Sequence, residues 1–112
     1  MPVFYHLIIY VPVAAADTVR KALADGGAGH IGNYDSCSFS ARGTGRFRPL
    51  KGALPAIGSI GKIEEVEEER IEALVAEDKL KETLRRIREV HPYEEPAIHV
   101  LPMVDDESFL AD

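Results

Sequence analysis

Cysteine is almost missing from this 112-residue chain: Cys37 is the only one. No disulfide can form within the chain, so the expected compartment is a reducing one, the cytoplasm. Long apolar runs are missing too. Nothing approaches the roughly 18 residues that cross a bilayer, and the opening Met1-Pro2-Val3-Phe4-Tyr5-His6 has no basic start of the kind that heads a secretion signal. A soluble chain with no membrane partner is expected. Basic residues are the minority, 13 Lys and Arg against 19 Asp and Glu, for a net charge of −6. That balance disfavours duplex nucleic acid, whose phosphates are bound by clustered Lys and Arg. The spacings Cys-x-x-Cys and His-x-x-x-His do not occur, nor does a Gly-Lys-Ser/Thr phosphate loop.

What charge there is has been sorted along the chain. From Ser36 to Ile63 there are five basic residues (Arg42, Arg46, Arg48, Lys51, Lys62) and no acidic one, so this stretch is +5 and the rest of the chain −11. A cationic loop on an acidic body is the expectation. One domain over residues 1–104 suffices for the length, with a single core burying about two-thirds of the unfolded surface. Residues 105–112 carry four acids and are expected to fray as an acidic tail.

Hydrophobic periodicity supplies the elements. Phe4 to Val11 reads as a nearly buried strand closed by Pro12, and Ala14 to Asp25 as a helix with Ala15, Val19, Ala22 and Leu23 on one stripe, stopped by Gly26-Gly27. Tyr34 to Arg42 alternates, Cys37, Phe39 and Ala41 against Ser36, Ser38 and Ser40, and predicts a half-buried strand. Gly43 to Gly61, rich in Gly and Pro, predicts a long loop. Glu67 to Val75 is a third strand, its acidic start reading equally as an extended arm. A helix follows with Leu80, Leu84, Ile87 and Val90 at helical spacing, ended by Pro92, and Ala97 to Leu101 is the last strand before Pro102.

The order βαββαβ predicts an α+β, ferredoxin-like sandwich: a four-stranded antiparallel sheet with two helices on one face. Its uncovered face would carry Phe4, Ile8 and Tyr10 or their alternates, which predicts a homo-oligomer. Strands two and four are expected to start at the same end of the sheet, bringing His30 and His91 to that end about three spacings of 4.8 Å apart.

Several stretches together resemble a known family: Gly27 to Phe39, Gly43-Thr44-Gly45-Arg46-Phe47-Arg48-Pro49-Leu50-Lys51-Gly52, Ile57-Gly58, Glu64-Glu65-Val66-Glu67-Glu68, Arg70-Ile71-Glu72 and His91-Pro92-Tyr93-Glu94-Glu95. They resemble the inserted domain of the Nif-three-like dinuclear-metal hexameric proteins over nearly the whole chain. His-Pro-Tyr-Glu followed by a proline is also similar to the CutA copper-tolerance proteins. Both families are similar in fold to the PII signalling proteins, whose subunits assemble as trimers, so the resemblance implies a trimer. It also implies that the dinuclear metal site belongs to the flanking lobes of the large proteins. No residue here matches that site, so no catalytic residue is assigned and no enzyme activity is carried over.

Two candidate sites remain, each with a plainer alternative. His30, Cys37, His91 and Glu94 are candidate ligands for a divalent ion, zinc or copper, at a junction between subunits. Alternatively His30 serves a glycine-rich turn, Cys37 packs as a small hydrophobe, and His91 sits at a helix C-terminus that favours it without a ligand. Thr44, Arg46 and Arg48 on the Gly43–Gly61 loop are candidates for a nucleotide, another small anion or a protein partner, with Phe47 able to stack on a base. In the plainer reading Arg46 and Arg48 pair with the acidic run Glu64 to Glu69.

Overall fold

The computed structural model describes residues 3–110. Met1 and Pro2, and Ala111 and Asp112 of the acidic tail, lie outside the described residues. β1 (Phe4–Pro12) passes through a 3-10 turn into α1 (Ala16–Gly26); β2 (Phe39–Phe47), β3 (Glu64–Ala76), α2 (Glu77–Val90) and β4 (Ile98–Met103) follow. The sheet runs in the order β2-β3-β1-β4 with every neighbour antiparallel. This is the ferredoxin-like fold expected from the βαββαβ pattern.

Strand parity decides which side chains meet the helices. Leu7, Ile9 and Val11 of β1 face Ala73, Ile71 and Glu69 across the β3 ladder, and all three β1 side chains are fully buried. They join Val19, Ala22 and Leu23 of α1 and Ile87 of α2 in one core. Each fully buried aliphatic side chain contributes about 1.5–3 kcal/mol over its exposed state. The α1 stripe is the expected one with Ala16 buried in place of Ala15, which packs at its margin. Gly27, in the left-handed region at φ 101°, caps α1. Val90 of α2 is solvent-exposed instead of buried. Glu69, at the rim of this core, is held by the Arg20 guanidinium at 2.6 Å, which also donates to Ser40 and Asp17.

The alternates Phe4, His6, Ile8 and Tyr10 lie on the helix-free face, part-buried. That face is not uniformly apolar. His6 Nε2 and Glu72 Oε1 are 2.9 Å apart, and Arg70 approaches Glu72 at 3.4 Å. The His6 hydrogen bond, more than the nearby Arg70 charge, holds the Glu72 carboxyl below the usual carboxylate range.

Beyond Pro12, which pairs with Glu68, β1 stops and β2 and β3 run on alone as a ribbon pairing Thr44–Phe47 with Glu67–Glu64. The acid-rich start of β3 is therefore both strand and arm, and the molecule is drawn out to 56 × 24 × 23 Å. Two expectations are corrected here. The second strand begins at Phe39, not Tyr34, and includes Gly43 to Phe47, which read as loop. Cys37 consequently precedes the strand, and Phe39 and Ala41 share ladder positions with Glu72 and Arg70 on the helix-free side. Pro102 also lies inside β4, opposite Tyr5; an edge strand tolerates its missing N–H.

The larger correction concerns the two histidines. In this antiparallel order β2 runs parallel to β1 and β4 runs opposite to it, so the two edge strands start at opposite ends. Gly29, next to His30, donates its N–H to the Leu74 carbonyl, level with His6, whereas His91 reaches the Tyr10 carbonyl. His30 and His91 belong to opposite ends of the sheet, and no protomer unites them.

Candidate functional site

The arm and the His91–Pro96 turn enclose an open groove of about 950 Å3 at the end of the sheet where β1 finishes. Tyr10, Gly45, Phe47 and Glu68 form its floor. Arg46, Arg48, Leu50 and Lys51 come from the arm, and Tyr93, Glu94 and Glu95 from the turn.

His91 fixes the turn. Its buried ring accepts the Tyr93 backbone N–H at Nδ1 (3.1 Å), so the proton sits on Nε2, which donates to the Tyr10 carbonyl at 2.7 Å. A backbone N–H can only donate, which is why the tautomer follows from geometry. Both ring nitrogens are thus engaged inside the protomer. Tyr93 then projects into the groove, its ring edge-to-face with Phe47 at 5.7 Å between centroids and its hydroxyl donating to Glu68 at 2.9 Å. Burial, and then the Glu68 carboxylate, push the Tyr93 phenol above its ordinary pKa, so it stays a neutral donor. Gly45 permits this pair, because a Cβ there would run into the Glu68 carboxylate. Glu94 accepts the Leu54 N–H at 2.9 Å and ties the arm loop to the turn.

The arm cations are less committed. Arg46 pairs with Glu65 at 3.5 Å with both side chains about 60% exposed, a contact worth little in water. This is the partner in the acidic run that the plainer sequence reading gave it. Arg48 and Lys51 are exposed and have no ion pair among the described residues. Thr44 lies on the ribbon opposite Glu67, outside the groove. From the sequence Tyr10 was expected only as a residue of the uncovered sheet face, and Glu68 and the tying role of Glu94 were not singled out; Gly45 reads there as one glycine of a loop, and nothing local marks its close approach to Glu68.

At the opposite end, His30 and Cys37 belong to the segment joining α1 to β2. Cys37 donates its N–H to the Gly29 carbonyl, and Ile31 and Tyr34 form an isolated bridge between them. His30 is exposed beside Asp35, Asp78 and Lys79 in a second, smaller hollow. Among the described residues, no three His, Cys, Asp or Glu side chains come together as a metal site.

Comparison with known proteins agrees with this architecture. A family model described as CutA1 divalent ion tolerance protein matches residues 59–111. The chain is 44% identical over 102 residues to a protein of Halalkalibacterium halodurans named GTP cyclohydrolase 1 type 2 homolog, covering 91% of this chain and 27% of that one. A Mycobacterium bovis protein of the same name is 46% identical over 97 residues, covering 87% and 26%. The chain therefore spans about a quarter of the length of these curated relatives. Among solved structures, a Bacillus cereus protein related to NIF3 superposes with a TM-score of 0.81 at 41% identity, over 93% of this chain and 26% of that one. CutA1 from Pyrococcus horikoshii superposes at 0.66 with 25% identity, over 95% and 90%. Along nearly its whole length the chain is similar to a quarter-length portion of NIF3-related proteins, and it has the fold of CutA.

Proposed function

We propose that the protein is a homo-oligomeric, non-catalytic binding module of the cytoplasm whose ligand, a small anion such as a nucleotide, enters the groove between the arm and the His91–Pro96 turn. The observation that carries this reading is the pairing, in one groove, of the under-committed cations Arg46, Arg48 and Lys51 with the Phe47–Tyr93 aromatic pair. Guanidinium groups suit phosphate or carboxylate oxygens, and the face of an aromatic ring can stack on a base. Self-association is supported by the arm, a two-stranded ribbon of a kind that is marginal alone in water. Leu50, Leu54, Ile60 and Ile63 on its loop are each at least half exposed. A trimer, as in the PII-like assembly, would cover the arm and the helix-free face together.

A second reading has the names of the CutA proteins in its favour: a divalent ion, zinc or copper, bound where subunits meet. His30 and Cys37 of one copy would there join Glu94 of another; His91, expected from the sequence as a fourth ligand, has both ring nitrogens hydrogen-bonded within its own protomer. One thermal-shift screen separates the readings. At a hundredfold excess over Kd a ligand stabilises by about 2.7 kcal/mol. Nucleotides and inorganic phosphate should raise the melting temperature of the wild type, and Arg46→Ala with Arg48→Ala should abolish the rise. Zinc or copper stabilisation lost in His30→Ala would favour the metal. No response to any nucleotide or phosphate removes the anion reading.

A further inference from the structure

We infer that Glu68 selects the base of the bound nucleotide, admitting bases that carry an exocyclic amine and turning away their keto counterparts. The inference rests on the groove being an anion site and names the chemical class which that site takes.

Glu68 is an acid on the floor of a groove whose arm wall is cationic. It is 8% exposed, lies beside Tyr10, Gly45 and Phe47, and has no ion pair among the described residues. Left bare, its charge repels a phosphate and weakens the site. The hydrogen bonds aim it at something else. The Tyr93 hydroxyl donates to Oε2 at 2.9 Å and fixes the carboxylate, while Oε1 accepts no hydrogen bond among the described residues. No buried side-chain oxygen or nitrogen among those residues is without a partner, so Oε1 is not sealed in. It lies over Gly45, a groove residue whose missing side chain leaves it room. One oxygen is held and the other is open to what enters. Glu95 of the turn is exposed and can swing to solvent; Glu68 cannot.

A carboxylate oxygen only accepts, so its partner on the ligand is a donor. Phosphate oxygens are acceptors and go to Arg46, Arg48 and Lys51 on the arm wall. The ring of Tyr93 that fixes Glu68 also stands edge-to-face with Phe47 at 5.7 Å, so a base lying on this pair brings its own edge to Oε1. Adenine, guanine and cytosine each carry an amine donor on their edges. Uracil and hypoxanthine present a carbonyl or a bare hydrogen in its place. An amine completes the hydrogen bonding of Oε1, whereas a carbonyl sets acceptor against acceptor, and a site built for a donor rejects the analogue that lacks it.

Calorimetric titration of the full chain tests this with three pairs of nucleoside monophosphates: adenosine against inosine, guanosine against inosine, and cytidine against uridine. The amine-bearing member of each pair should bind about tenfold more tightly. Glu68→Gln keeps the size and can turn an amide N–H toward a carbonyl, so it should erase or invert the preference. It should also tighten inorganic phosphate, because a negative charge leaves the groove, a result that mere loosening of the groove would not give. If the variant does not fold, the wild-type pairs decide alone. Equal binding within all three pairs overturns the inference and leaves the anion reading standing; weaker binding of the 2′-deoxy forms in that case would put Glu68 on the ribose. Failure of phosphate and of every nucleotide to bind removes the anion reading and this inference together.

Discussion

His91→Ala loses about 2–4 kcal/mol of stability, because it strips two hydrogen bonds and most of a buried ring from the turn that shapes the groove. The Tyr10 carbonyl and the Tyr93 N–H are left without the partners they have now. The loss should fall on function as well. Tyr93 depends on that turn for its place against Phe47 and Glu68, so ligand stabilisation should vanish along with stability. His30→Ala is the control: an exposed side chain outside any hydrogen bond among the described residues, expected to change stability by no more than about 0.5 kcal/mol. Denaturant unfolding of both variants, with and without a chelator, gives the answer. If a chelator destabilises the wild type as much as His91→Ala does, and leaves the variant untouched, His91 is a metal ligand and the hydrogen-bonded assignment is wrong.

Gly29→Ala is the second large effect, on the order of 3 kcal/mol or more. Gly29 sits at φ +76°, and a Cβ there would meet the backbone of Cys37, which cannot swing away as a side chain can. Its N–H and carbonyl also hold the segment in place, bonding Leu74 and Cys37. Gly32, at φ +56° with nothing within 4 Å of a built Cβ, isolates the conformational part. Gly32→Ala should therefore cost only about 1 kcal/mol. Equal losses at the two positions would show that the Cys37 contact carries no weight.

The sequence was legible wherever hydrophobic period and capping agreed. β1, both helices and β4 fall within a few residues of their expected bounds, since burial on one face set their pattern. The second strand was misplaced for a physical reason. Ser36-Cys37-Ser38 alternates like a strand, yet Ser36 takes φ 58° and the Gly29–Cys37 bond holds the chain in a loop. Gly43-Thr44-Gly45 has loop composition, yet it pairs along β3, where a glycine makes room for Glu68. Periodicity does not distinguish glycine for a turn from glycine for close approach. The groove was half visible: its cations and Phe47 stood out by charge and composition, while Glu68, Tyr10 and the carbonyl that His91 binds depend on contacts between residues far apart in sequence. Helix ends alone place the two histidines at one end of the sheet; the antiparallel order β2-β3-β1-β4 separates them, because the two edge strands run in opposite directions.

The proposed homo-oligomer covers the arm and the helix-free face with other copies, and the metal reading depends on it. Sedimentation equilibrium of the intact protein at micromolar concentration measures that directly. A trimer of the 12.3 kDa chain, about 37 kDa, is the expected species. A folded, monodisperse species of 12.3 kDa across the concentration range would contradict it.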